Sequence, residues 1–190
     1  VVDLLLIDNV LDGDTCRRIV SWMQAAPEAP ASVYGGASKA GVEANVRRVS
    51  RIAVPPAVRD EIELRFEECR PQLEAHFGVV LRECEEPQFL RYRPGDFFVA
   101  HQDGNTPLIR DDTRLRKVSA TLFLNHQTAA ATSGAYGEGS LVFHEPFPRH
   151  DLRRRLAGEP GALVAFRAET THEVVPIAHG ERYTIVSWYR

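Results

Sequence analysis

The sequence predicts a mainly β chain with flanking α structure: a jelly-roll core with N-terminal helices packed outside it. Three observations carry this. Up to about residue 78, apolar residues recur at helical spacing in two runs. From residue 79 the texture changes, and short β-branched and aromatic runs alternate with turn residues, as in a sandwich or barrel and unlike βαβ units. The length of 190 residues suits one sizeable core. The expected organisation is therefore a single domain, 1–190, helical over about 1–78 and jelly roll over about 79–190.

Along the chain, "VVDLLLI" reads as a strand. Asp12 can cap a helix whose apolar residues Cys16, Ile19, Val20 and Met23 follow the i, i+3, i+4, i+7 pattern. "APEAPASVYGGASKAG" reads as a mobile loop, and 30–46 is one candidate lid. "VRRVSRIAVP" reads as a strand before a second helix opened by Pro55–Pro56. Its stripe of Val58, Ile62, Phe66, Cys69, Leu73 and Phe77 keeps helical spacing, with a kink or restart expected at Pro71. Strands are then expected in "EPQFLRYR", "DFFVAHQ", "KVSATLFLN", "SLVFHE", "ALVAFR", "HEVVPI" and "RYTIVSWY". Residues 126–139, "HQTAAATSGAYGEG", form the longest unstructured candidate and a second candidate lid. "RHDLRRR", 149–155, reads as a solvated turn.

Composition narrows the partners. A net charge of −3 offers no basic surface for nucleic acid, and no apolar run approaches the roughly 18 residues of a membrane span. Asp3 and Asp8 interrupt the apolar opening and no basic segment precedes it, so it does not read as a signal peptide, although a chain starting at Val1 suggests trimming. Cys16, Cys69 and Cys84 are odd in number and show no CxxC spacing, which fits a reducing compartment. The expectation is a cytoplasmic protein with no nucleic-acid or membrane partner.

"AHQDG", 100–104, carries the first chemical signal. His101 and Asp103 stand one residue apart, and in a strand such residues face one side and can converge on an ion. His-x-Asp alone is weak among seven histidines. His172 in "ETTHEVV" opens another expected strand and supplies a third ligand. Two histidines and one carboxylate leave three positions open, the arrangement of non-haem Fe(II) oxygenases, whereas catalytic zinc keeps one. Further on, "RYTIVSWYR" places Arg182, Thr184, Val186 and Trp188 on one strand face. An inward Arg there either anchors a carboxylate through its planar fork, with Thr184 adding a hydroxyl, or closes a structural ion pair. Tyr92 in "RYRPGDF" is either a phenol for the same anion or a core tyrosine.

Taken together, Tyr92 in "RYRPGDFFVAHQD", the "ATLFLN" strand, "GEGSLVF", "HEVVPI" and "RYTIVSWY" resemble the Fe(II)/2-oxoglutarate-dependent dioxygenases, in their prolyl-4-hydroxylase-like branch, over roughly 85–190. The resemblance implies a double-stranded β-helix and iron held by His101, Asp103 and His172. It also implies 2-oxoglutarate held by Arg182 with Tyr92 and Thr184. O2 would be a second cosubstrate, and ascorbate (vitamin C) is a candidate accessory. Phe123 stands where some relatives carry a tyrosine that contacts the cosubstrate.

The implied reaction couples decarboxylation of 2-oxoglutarate to succinate with hydroxylation of an unactivated C–H bond. Asp103 favours hydroxylation over halogenation, because halogenases of this superfamily carry a small residue there. The substrate is a prolyl or other residue of a protein or peptide, with a free amino acid or natural product as the alternative. A non-catalytic jelly-roll binding protein and a cupin-like zinc hydrolase are the rivals from other classes. His144 is a candidate for surface or substrate contact, while His76, His126, His150 and His179 read as solvated. Arg48 or Arg51, in "VRRVSR", is a candidate for bordering the substrate groove.

Overall fold

The computed structural model describes residues 1–31, 46–107, 111–146, 148–149 and 151–190. Along the chain, β1 (Leu4–Ile7) leads into α1 (Gly13–Ala25), then β2 (Glu28–Pro30), β3 (Arg47–Arg48), β4 (Ser50–Ile52) and α2 (Pro56–Phe77). The β half follows with β5 (Gln88–Tyr92), β6 (Phe97–His101), a 3-10 turn (Asp112–Leu115), β7 (Val118–Phe123), β8 (Gly137–Glu138) and β9 (Leu141–His144). It closes with β10 (Arg153–Leu156), β11 (Leu163–Arg167), β12 (His172–Val174), β13 (Ile177–His179) and β14 (Arg182–Tyr189).

Two antiparallel sheets face each other as a jelly roll. The larger has seven strands in the order β1-β11-β7-β14-β5-β4-β2, and the smaller has five in the order β10-β9-β12-β6-β3. A short β13-β8 ribbon completes the described strands. Both helices lie outside, against the seven-stranded sheet. Ile19 and Met23 of α1 and Ile62, Phe66 and Leu73 of α2 are fully buried in one apolar cluster with Ala120, Leu122, Leu163 and Ile185. Burying each large side chain contributes about 1.5–3 kcal/mol. The inner cluster, between the sheets, holds Leu90, Tyr92, Phe123, Phe143, Val164, Phe166 and Val174. The large sheet is thus covered on both faces, which explains why all six residues of β7 are buried and its sequence shows no polar alternation.

The caps follow the sequence. Asp12 accepts from the Thr15 amide at 2.7 Å and starts α1, and Gly78, at φ 64°, ends α2 in the left-handed conformation that glycine adopts freely.

Four expectations need correction. The helix does not restart at Pro71: α2 runs on through it, with all six stripe residues buried and Pro71 itself facing solvent. Packing there outweighs the roughly 3 kcal/mol of a helix proline. In the stretch "APEAPASVYGGASKAG", expected as a mobile loop, Glu28–Pro30 is a strand that pairs with β4, while most of the candidate lid 30–46 lies outside the described residues. The second candidate lid is anchored at its far end. Tyr136 is 1% exposed and exchanges backbone hydrogen bonds with His126 and Thr128, and Gly137–Glu138 pairs with β13. Finally, Arg153–Leu156 of "RHDLRRR" is an edge strand paired with β9, its charges in water where an edge tolerates them.

"VRRVSR" also does more than one strand can. Arg47–Arg48 pairs with β6 in the small sheet, and Ser50–Ile52 pairs with β5 in the large one. Val49, 6% exposed, lies between them in the inner cluster.

Candidate metal centre and cosubstrate pocket

His101 ends β6 and His172 begins β12, and the register sets them directly opposite each other, with ring centroids 4.2 Å apart. Asp103 lies just beyond β6, so its convergence comes from a turn and not from strand alternation. The Asp103 and Gly104 amides both donate to the Ala168 carbonyl, at 2.9 and 3.1 Å. Gly104 is required there: a Cβ would sit 2.3 Å from the Thr113 carbonyl oxygen. The Ser119 hydroxyl, on β7, donates to Asp103 Oδ2 at 2.7 Å. His101 Nε2 then stands 3.4 Å from Asp103 Oδ1, and His172 Nε2 stands 3.5 Å from Oδ2. One ligand atom from each of the three residues falls within 4.8 Å of the others.

Protonation favours a cation at this point. Nδ1 of His101 bonds the Val99 carbonyl at 2.8 Å, and Nδ1 of His172 bonds the Thr170 carbonyl at 2.9 Å. A carbonyl only accepts, so each Nδ1 carries the hydrogen, and in the neutral ring Nε2 turns a lone pair toward the carboxylate. Burial, with His101 beside it, lowers the His172 imidazole to about 4, which keeps it neutral. Burial opposes ionisation of Asp103, yet His172, His101 and the Ser119 hydroxyl outweigh it and hold the carboxyl well below its usual range. Two imidazole Nε2 atoms and a carboxylate face one another, and this donor set suits Fe(II) with open positions.

The same pocket, about 450 Å³ of empty space, is lined by Tyr92, Arg182 and Thr184 as well. Arg182 is 1% exposed. Its guanidinium lies 5.0 Å from the Tyr92 ring and 5.5 Å from the Phe123 ring, and Nη1 is 3.5 Å from Thr184 Oγ1. Its Nε has no hydrogen-bond partner, and among the described residues no carboxylate stands within ion-pair distance. The structural ion pair left open by the sequence is therefore absent among the described residues. A buried cation with an orphan donor is costly without an anion, which is the setting a dicarboxylate cosubstrate would meet.

A profile of the 2OG-Fe(II) oxygenase superfamily matches residues 87–190. The chain belongs to that superfamily. Within it, a PKHD-type hydroxylase of Shewanella oneidensis is 32% identical over 102 residues, 54% of this chain and 41% of that protein. The matched part of this oxygenase-superfamily chain thus spans about two-fifths of that curated relative. Solved structures share the fold. A Pseudomonas putida prolyl-4-hydroxylase superposes with TM-score 0.75 at 23% identity, covering 100% of this chain and 93% of that one. A Trichoplax adhaerens prolyl hydroxylase, in complex with a hypoxia-inducible factor peptide fragment, gives 0.71 at 17%, covering 98% and 83%. HygX from Streptomyces hygroscopicus, with nickel, 2-oxoglutarate and hygromycin B bound, gives 0.67 at 14%, covering 99% and 82%.

The remaining candidates of this oxygenase-superfamily chain fall elsewhere. His144 bonds Glu173 at 3.0 Å and takes no part in the three-residue cluster. His76 is paired with Asp3 at 2.8 Å and His126 with Glu159 at 3.0 Å. His179 is in β13 with its ring against Gly137, whose hydrogen leaves it room; His150 lies outside the described residues. Arg48 and Arg51 are exposed, the former over Phe97 and the latter paired with Glu86. The pocket instead receives Arg47, which sequence reading passed over. Parity with apolar Val49 separates Arg47 from Arg48 but not from Arg51, which belongs to the next strand and the other sheet. Ser119 was missed too, and no local pattern marks it, since its role depends on a residue 16 positions away in another element.

No helix among the described residues is long and apolar enough to cross a membrane.

Proposed function

We propose that this chain is an Fe(II)- and 2-oxoglutarate-dependent dioxygenase that hydroxylates an unactivated C–H bond, on a prolyl or other residue of a protein or peptide. The observation that carries the reading is one pocket with two halves: the His101–Asp103–His172 donor set and, beside it, the buried Arg182 with its orphan Nε. Fe(II) held by the three donors, with 2-oxoglutarate and O2, supplies the oxidising power and leaves succinate and CO2. The chain's own residues supply the rest. Arg182 holds the far carboxylate of 2-oxoglutarate, with the Thr184 hydroxyl and the Tyr92 phenol alongside. Ser119 fixes one oxygen of Asp103 and so sets the direction of the other. Leu90, Leu141 and Val174 wall the pocket against water.

Residues 1–190 act as one domain in this reading, because the helices pack on the sheet that carries Arg182. Three free cysteines suit a reducing compartment, the cytoplasm, with the Cys16 and Cys84 thiols pushed by burial to about 11. A free amino acid or natural product is the second reading, favoured by the likeness to HygX and its hygromycin B complex.

The test is succinate formation by protein loaded with Fe(II), with peptide or small-molecule pools, with and without ascorbate, beside a direct iron determination. Succinate that requires His101, judged against His101→Ala, is the expected result. Iron bound by the parent protein without any succinate would sink the enzymatic reading.

A further inference from the structure

Arg182 heads β14, and a side chain from another strand fixes the backbone around it. β7 pairs with β14 from Val118 opposite Tyr189 to Phe123 opposite Thr184, and the strand pairing stops there. Two residues further along the same register, Asn125 comes level with Arg182. Leu124 still donates its amide to the Tyr183 carbonyl at 3.1 Å. On its other side Arg182 pairs with Tyr92 of β5.

The Asn125 carboxamide replaces the missing strand. Its Oδ1 accepts from the Tyr183 amide at 2.9 Å, and its Nδ2 donates to the Glu181 carbonyl at 2.8 Å. These groups belong to the two peptide bonds that flank the Arg182 Cα. Nδ2 also donates to the Gly134 carbonyl at 3.0 Å, within the segment 126–139. Asn125 is 8% exposed, so water competes little for these bonds. An asparagine that merely forms a turn bonds its near neighbours. This one spends its bonds on residues 9, 56 and 58 positions away.

The arginine side chain has few polar contacts of its own. Nη1 lies 3.5 Å from Thr184 Oγ1, and Nε has no partner. A long side chain magnifies any tilt at its Cα, and misplacing a binding group by about 1 Å can cost a factor of about a hundred.

We propose that Asn125 is a positioning residue for the cosubstrate. By holding both peptide groups of Arg182 it aims the guanidinium at the far carboxylate of 2-oxoglutarate, and through Gly134 it ties that aim to the segment 126–139. The inference rests on the oxygenase reading of the site.

The experiment uses anaerobic protein holding Fe(II), so that no turnover occurs, and compares the binding of two 2-oxo acids. One is 2-oxoglutarate. The other is 2-oxopentanoate, which offers the same oxo and carboxylate oxygens but ends in a methyl group. The parent protein is expected to prefer 2-oxoglutarate by about a hundredfold. Asn125→Ala is expected to cut this preference about tenfold by weakening 2-oxoglutarate alone. In Arg182→Met the added Asn125→Ala is expected to cost nothing further, since the two residues act as one unit. Equal weakening of both acids, an unmoved preference, or an additive loss in the double variant would each overturn the proposal.

Melting curves show whether Asn125→Ala is folded. Should it not fold, amide hydrogen exchange in the parent protein decides. There 2-oxoglutarate, and not 2-oxopentanoate, is expected to slow exchange over 180–185 and 132–136 together; anything short of joint slowing overturns the proposal. A parent protein that binds no Fe(II), or binds the two acids alike, brings down the oxygenase reading and this inference with it. A preference present in the parent and unmoved in Asn125→Ala brings down the inference alone.

Discussion

Arg182 is where a single residue sets the energetics of the site. Its charge is 1% exposed and lacks a carboxylate among the described residues, so without a ligand the folded state carries an uncompensated buried cation. Arg182→Met, which keeps the volume and removes the charge, is expected to raise unfolding stability by about 1–3 kcal/mol without 2-oxoglutarate. It should also weaken 2-oxoglutarate binding on the order of a hundredfold. Denaturant melts with and without 2-oxoglutarate read both effects, and an unchanged affinity would remove Arg182 from the anion site. Ser119 acts on the other half of the pocket through its 2.7 Å hydrogen bond to Asp103. Ser119→Ala is expected to lower Fe(II) affinity about 10–100-fold, the usual loss when a ligand's outer partner goes, and Ser119→Thr to recover part of it. Metal titration checks this without any assay of turnover.

At the scale of elements, α2 and β2 were the hardest to read, for opposite reasons. A lone proline in a helical stripe argues for a break, but the stripe's burial is a property of the tertiary structure that the local sequence does not carry. Pro71→Ala is accordingly expected to stabilise the protein by about 1–3 kcal/mol, since it restores a backbone donor at a solvent-facing position without touching the core. A lower melting temperature for this variant would mean that Pro71 has a packing role. β2 hid within a Pro- and Ala-rich stretch because three exposed residues on an edge leave no alternation to find. Its anchor is a side chain: Glu28 pairs with Arg91, and with Arg93 at 2.9 Å, which lowers its carboxyl to about 2. A depressed carboxyl contributes stability that is complete above its ordinary value of 4.5 and fades as pH falls toward 2. Screening at this partly exposed pair limits it to about 0.5–1 kcal/mol. Glu28→Gln should remove that increment and the matching acid dependence, as seen in melts at pH 7 and 3.

The strands with strong alternation or continuous apolar runs were legible, and so was the face shared by Arg182 and Thr184. Strands β8, β10 and β13 escaped notice. Two are too short for a period, and β10 hides under its arginines. The position of Asp103 was foreseen by the wrong route, since a turn on Ala168 and not a strand brings it to the histidines.

For the whole molecule, the layers couple the pocket to global stability. The helices hold one face of the large sheet and the small sheet covers the other, so the site is sealed by the same contacts that maintain the fold. Acid acts on this unit through His172. Its imidazole titrates at about 4 when folded against 6.5 ordinarily, so the unfolded chain takes up the proton first. Stability is then complete above about pH 6.5 and falls as pH drops toward 4, by up to about 3 kcal/mol. Urea unfolding of metal-free protein across that range should show the slope, and His172→Gln should flatten it.

The two-faced strand β14 has a genetic consequence. Its even-numbered residues Arg182, Thr184, Val186 and Trp188 line the pocket, whereas Tyr183, Ile185 and Tyr189 belong to the helix-side cluster. Gly180, at φ 68° with the Ala135 carbonyl oxygen 2.2 Å from where a Cβ would be, fixes the turn that starts the strand. A single codon gained or lost between Gly180 and Arg182 would exchange the two faces along the whole strand, sending aromatic rings into the pocket and a guanidinium beneath the helices. Length variation among descendants of this chain should therefore collect at "TAAATS", where the backbone is exposed, and spare "HGER".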